Sequence, residues 1–95
     1  MLQRFHDRVA RAYAGIADAQ TLLTEYHDAP AADTYPQARH ALARALEVGD
    51  ELAEVHASQA IVRQFYEWDW ASAEQEYRRA LDLNPNYATA RQWYA

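Results

Sequence analysis

Apolar residues in this 95-residue chain recur at spacings of three and four, the period of helices with one buried face. Val9, Tyr13, Ile16, Gln20 and Leu23 keep that spacing, and Leu22 and Tyr26 widen the stripe, which predicts a first helix from about Val9 to Tyr26. The segment "HDAPAAD" interrupts it. Thr34 followed three positions later by Gln37 has the pattern of a capping box with Pro36 in its first turn. It is expected to open a second helix through Ala38, Leu42, Ala45 and Leu46. Gly49 is expected to end that helix as a left-handed cap. A third helix is expected to begin near Asp50 and to carry Leu52, Val55, Ala60, Ile61 and Phe65. Asp69 is a suitable N-cap for a fourth, running through Ala73, Tyr77, Ala80 and Leu81 with Glu74 and Arg78 paired on its outer face. "NPN" at 84–86 resets the chain, and a fifth helix has hardly begun where the sequence stops at Ala95.

Two Gly and three Pro leave few breaks between helices, so the pattern and the composition both indicate an all-α chain forming one small domain. All nine basic residues are Arg, and fourteen acids outnumber them to give a formal charge of −5. No basic stripe exists to follow a phosphate backbone, so no nucleic-acid partner is expected for this segment. Without Cys there is neither a disulfide framework nor a thiolate metal site, which suits a reducing compartment. The apolar runs are far shorter than a bilayer span and "MLQRFHDRV" lacks a signal-peptide core. No membrane association is expected, and a cytoplasmic location is the default.

The helices repeat. Ala38, Leu42, Ala45, Leu46, Asp50, Ala53 and Ala60 align with Ala73, Tyr77, Ala80, Leu81, Pro85, Ala88 and Ala95 at a constant offset of 35 residues. The first and third helices align at an offset of 43, with Tyr13 over His56, Ile16 over Gln59 and Ala17 over Ala60. The difference points to an insertion in the turn between the first two helices, near 27–34. Phe5, Asp7, Val9 and Ala10 also align with Val48, Asp50, Leu52 and Ala53. Residues 1–8 are therefore expected to end a preceding unit, 9–49 to form one repeat, 50–85 a second, and 86–95 the first helix of a truncated third.

A helix pair of this length, with small residues where its helices cross and an aromatic midway along the second, resembles the tetratricopeptide repeat (TPR). The matching positions are Tyr13, Ile16, Ala17, Ala38, Leu42 and Ala45 in the first unit, and Ala60, Ala73, Tyr77, Ala80 and Pro85 in the second. His56 and Gln59 stand where the family carries a large aromatic and Leu, and Asp50 stands in place of Pro. The resemblance implies an α-solenoid of antiparallel helix pairs. "AYAGIADA", "ALARALEVGDELAEVHAS" and "EWDWASAEQEYRRALDLNPNYATARQWYA" further resemble repeats of multidomain bacterial signalling proteins with winged-helix, cyclase or Ser/Thr kinase output domains. That likeness implies a scaffold for protein partners inside a signalling or transcriptional regulator. The alternative is a free-standing adaptor that self-associates through its uncapped C-terminal end, where Trp93 and Tyr94 lie.

Candidate chemistry is sparse. His6, His27, His40 and His56 never pair at i, i+4 on one helix, so no metal face is expected. Ser58 and Ser72 lack a nucleophile-elbow setting, and Gly15 and Gly49 make no phosphate loop. Neither catalysis nor a cofactor is expected, and Glu74, Glu76 and Asp82 read as a solvated helix face.

Trp70 falls in the first turn of the second helix of a pair and is expected to pack against the first helix. Trp68, in the turn, and Tyr66 are the candidate exposed aromatic contact. In a TPR stack the first helices line the concave groove, which implies contacts from Arg11, Ala14, Asp18, Thr21, Glu54, Ala57, Ile61 and Gln64. These positions lack the Lys and Asn with which related repeats clamp a chaperone's terminal carboxylate, so no such clamp is expected. The insertion "HDAPAADTYPQ" is read first as a tolerated surface loop, with a contact edge of the stack as the alternative.

Overall fold

A computed structural model describes residues 2–49 and 51–87. They form four α-helices and no strand: α1 (Leu2–His27), α2 (Ala31–Val48), α3 (Ala53–Phe65) and α4 (Trp70–Leu83). The all-α expectation therefore stands. The proposed fifth helix, with Trp93 and Tyr94, lies outside the described residues, and α3 begins at Ala53, with Leu52 at its cap position, rather than near Asp50.

α1 is longer than its apolar stripe. It begins at Leu2 rather than Val9, so residues 2–8 are its first turns and run without a break into the rest of the helix. Gln3, Arg4, Phe5, Asp7 and Arg8 tolerate helix, and Gln3 Nε2 donates to Asp7 Oδ1 at 3.0 Å, one turn on. The hydrophobic alignment with residues 48–53 does not translate into a shared turn.

The link between α1 and α2 is also shorter than the expected insertion: only 28–30 leave the helices, and "AADTYPQ" is already α2. Thr34 is therefore not a cap. The cap position belongs to Pro30, whose carbonyl accepts from Asp33 N at 2.9 Å and Thr34 N at 3.2 Å. Thr34 is buried, held by hydroxyl contacts with Thr24 and Tyr66. Pro36 sits inside the helix, where its ring has no N–H for the carbonyl of Ala32. Both residues lie on an exposed stretch, where water can take that carbonyl.

Gly49 ends α2 without a left-handed turn; its φ is −153° and its ψ 79°. Its requirement is space. A Cβ at Gly49 would lie 3.0 Å from Ala10 Cβ and 3.3 Å from Leu52 Cδ1. The left-handed positions are instead Asp28 (φ 57°) and Trp68 (φ 56°). Each follows the first helix of a hairpin, and in each the next amide closes back by six residues: Ala29 N to Leu23 O at 3.0 Å, Asp69 N to Arg63 O at 2.9 Å. α1 and α3 are thus terminated by one device. Asp69 then caps α4 as expected, accepting from Ser72 N at 3.1 Å, and Glu74 pairs with Arg78 at 3.1 Å.

α1 and α2 run antiparallel, since Thr24 meets Thr34, Gln20 meets Gln37, and Ala10 and Ala14 pack with Ala45. α3 packs with α4 across the link 66–69. α1 and α3 run side by side in the same direction. Arg11 meets Glu54, Ser58 Oγ lies 3.4 Å from Ala14 O, and Tyr66 reaches Gln20 O, so both indices rise together. α3 is held against α2 as well, through Val62 among Ala38, Ala41 and Leu42.

The buried surface is mostly alanine. Ala10, Ala14, Ala17, Ala38, Ala45, Ala53, Ala57, Ala60, Ala73 and Ala80 are buried, and the largest wholly buried side chains are Val55, Val62 and Ser58. Helices joined by methyl groups approach closely, and the energy comes from many short-range contacts rather than a few large side chains. This displaces the seam of α1 by one position from the stripe of large residues. Ala10, Ala14, Ala17 and Thr21 face inward, while Ile16, Leu22, Leu23 and Tyr26 remain substantially exposed.

Candidate functional site

The positions named for packing divide by size. Ala17, Ala38, Leu42, Ala45, Ala60, Ala73, Tyr77 and Ala80 are buried, and Tyr13 packs at the edge of two core clusters. Ile16, Trp70 and Pro85 are not part of the packing. Ile16 is 47% exposed on the outer α1–α2 seam beside Tyr13, Pro36 and His40. Trp70, the first residue of α4, is 57% exposed. Pro85 lies exposed in the turn after α4.

The aromatic corner is also rearranged. Tyr66 is turned inward rather than outward. Its hydroxyl lies 2.7 Å from Thr34 Oγ1 and 3.1 Å from Gln20 O, and its ring packs on Tyr35 at 5.0 Å between centroids. Trp68, 71% exposed, is held in the left-handed position and meets Trp70 edge to face at 6.2 Å. The exposed aromatic pair is therefore Trp68 with Trp70. Just before it, Glu67 gathers the α2–α3 seam: it accepts from Tyr35 OH at 2.7 Å and Arg39 Nη1 at 2.5 Å, with Arg63 at 3.7 Å. The hydrogen bond to Glu67 raises the Tyr35 pKa, with burial adding to the effect.

Glu76 departs from the solvated face expected of it. It lies 2.8 Å from His56 Nδ1 across the α3–α4 hairpin, with both side chains mostly shielded. Two large polar groups can meet there because Ala57, Ala60, Ala73 and Ala80 bring the helices together.

The groove residues are only partly convergent. Arg11 Nε pairs with Glu54 Oε2 at 2.7 Å, a bridge half open to solvent, and this hydrogen bond raises the arginine pKa further. Gln64 is engaged by Tyr77, whose hydroxyl donates to its Oε1 at 2.9 Å. Ala14 and Ala57 are buried in the seam. Asp18, Thr21 and Ile61 do come together. With Leu22, Glu25, Tyr26 and Phe65 they line a cleft of ≈ 210 Å³ between α1 and α3.

The floor of that cleft is polar and the walls are apolar. Thr21 is 3% exposed, and its hydroxyl donates to Ala17 O at 3.0 Å. Asp18 Oδ1 is buried and accepts no hydrogen bond. Burial raises the Asp18 pKa from 3.8 to about 6, against the neighbouring Ser58 hydroxyl, which favours the charged form. Across the seam Tyr77 feels the same charge: burial pushes its phenol upward, and the Asp18 carboxylate pushes it further. The resemblance to the tetratricopeptide repeat marks Asp18, Thr21 and Ile61 for this surface and misses Leu22, Glu25, Tyr26 and Phe65. Leu22 and Tyr26 carry a signal in the width of the α1 stripe, which by period alone reads as core.

Among the described residues no helix is long and apolar enough to cross a membrane, and no group of three His, Cys, Asp or Glu is placed to hold a metal ion. No family profile, curated protein or solved structure matches the chain.

Proposed function

We propose that this chain is a protein-binding scaffold of tetratricopeptide-repeat type, two helix pairs and the first helix of a third, working within a bacterial signalling or transcriptional regulator. The observation that carries the reading is the α1–α3 seam. A repeat stack requires that successive units contact each other at equivalent positions, related by one sequence offset. Arg11 meets Glu54 at the 43-residue offset read from the alignment, Ala14 meets Ser58 close to it, and both helices end in the same left-handed closure. α3 also packs between α1 and α2, as the first helix of a following unit would. On this reading the outer seam carrying Tyr13, Ile16 and Pro36 is where a preceding unit would stack, and the α1–α3 cleft lies on the groove that accepts an extended peptide. The regulatory setting rests on the resemblance of the wording alone.

A random-peptide display selection on the immobilised chain tests the scaffold. Enriched peptides should lose at least about tenfold in affinity when Leu22→Asn and Tyr26→Ala are combined at the lips of the cleft, and keep it with Arg79→Ala on the outer face of α4. Failure to enrich any peptide over the bare support, or indifference to the cleft substitutions, sinks the reading.

A further inference from the structure

Three exposed features compete for a specific role. The outer α1–α2 seam is apolar and has nothing to indicate an occupant. The α2–α3 hollow beside Glu67 is lined by Gln59 and Arg63, whose Oε1 and Nε are buried without a hydrogen-bond partner, an acceptor and a donor that together select no ligand of one charge. The α1–α3 cleft is different, because it carries an uncompensated charge.

Among the described residues its lining contains two acids, Asp18 and Glu25, and no base. Arg11, two turns earlier on α1, is already committed to Glu54. Asp18 has one oxygen buried without a donor, in surroundings that disfavour its charge. Above it Leu22 is 46% and Tyr26 69% exposed, with Ile61 and Phe65 on the facing helix. A long side chain with an apolar stem and a cationic head fits this order: stem against Leu22 and Ile61, head at the carboxylate, and Tyr26 as a face for the cation.

We propose that the α1–α3 cleft takes an arginine or lysine of a partner peptide, flanked by an apolar residue, with Asp18 as the counter-charge at the floor and Glu25 at the rim. This deepens the scaffold reading and rests on it. A cation beside Asp18 supplies the counter-charge that the described helices do not, and it does so in a partly dry site where attraction is screened little. Acidic peptides are repelled by the same two carboxylates, and neutral ones leave Asp18 desolvated and unpaired.

The test is a titration of the ¹⁵N-labelled chain at pH 7.5 with two blocked peptides, Ac-Leu-Arg-Phe-NH₂ and Ac-Leu-Gln-Phe-NH₂, followed by amide shifts. The arginine peptide should move the amides of Leu22, Ile61 and Phe65, and bind at least about tenfold more tightly than the glutamine peptide. Asp18→Asn should erase that preference while leaving the glutamine peptide's affinity within about twofold. Glu25→Gln, on the open rim, should weaken the arginine peptide by a smaller factor, and its folding serves as a control. Equal binding of the two peptides, a preference that survives Asp18→Asn, or shifts confined to another face would each overturn the proposal. So would the failure of both peptides at about 10 mM. If display-selected peptides nonetheless bind through the cleft and prove neutral or acidic, the scaffold stands and only its cation preference falls.

Discussion

Replacing Asp18 with Asn should make the free protein more stable, and by an amount that depends on pH. The carboxyl is mostly buried in the seam, and its pKa in the folded chain is about 6 against an ordinary 3.8. Because the folded-state value is the higher one, the native chain holds this proton more tightly than the unfolded chain. The group's contribution is therefore best below about pH 4 and is lost as pH rises towards and past 6. A rise of about two units corresponds to about 3 kcal/mol between the protonated and ionised forms, at roughly 1.4 kcal/mol per unit. Asn keeps the shape and removes the charge, so Asp18→Asn should gain up to about 3 kcal/mol at pH 7.5 and close to nothing at pH 4. With a urea slope of about 1 to 1.5 kcal/mol per molar for a chain of this size, the midpoint should move upward by roughly 2 M at the higher pH. Urea melts followed by circular dichroism at several pH values, wild type and variant together, isolate Asp18 from the other carboxyls because those titrate in both. A variant less stable than wild type at pH 7.5, or a difference that does not change between pH 4 and 7.5, would refute the assignment of Asp18 as a desolvated, unpaired charge. A gain on removing the charge would also mean that the native residue sacrifices stability at the floor of the cleft, as binding groups commonly do.

Three further outcomes rest on the packing. Gly49→Ala should lose about 1 to 3 kcal/mol in a chemical melt, since its Cβ would arrive 3.0 Å from Ala10 Cβ; the double variant with Ala10→Gly should recover part of the loss. Trp70→Gln should change stability by less than about 0.5 kcal/mol by the same assay, because the ring is 57% exposed at the corner; a loss above about 2 kcal/mol would place it in the core. Asp69→Ala should cost about 1 kcal/mol by removing the acceptor from Ser72 N, and Asp69→Asn should restore most of it; equal losses in the two variants would deny the cap its role.

The α4 boundaries are legible in the sequence because they rest on local chemistry. Asp69 accepts from an amide three residues on, and Glu74 and Arg78 are one turn apart, so neither needs another helix. Thr34 shows the opposite case. Its spacing to Gln37 is that of a capping box, but burial against Thr24 and Tyr66 is worth more than a local cap, and the helix starts earlier at Ala31. Gly49 has the sequence setting of a turn residue, yet its function is clearance beneath Ala10, which no local pattern can reveal. In the candidate site, Asp18, Thr21 and Ile61 can be marked through the family resemblance, whereas the engagement of Arg11 by Glu54 and of Gln64 by Tyr77 depends on side chains that arrive from other helices.

By itself the sequence determined the all-α character and the number of helices within the described residues, because hydrophobic period and few breaks act within a single helix. The tertiary structure decided which face of each helix is inside. An alanine stripe lets helices approach more closely than a stripe of Ile, Leu and Tyr, so Ala10, Ala14 and Ala17 took the seam and left Ile16, Leu22 and Tyr26 at the surface. It also decided that Asp18 lies in a cleft to which the described residues bring no cation, since a charge is compensated or orphaned only by what the neighbouring helices bring to it.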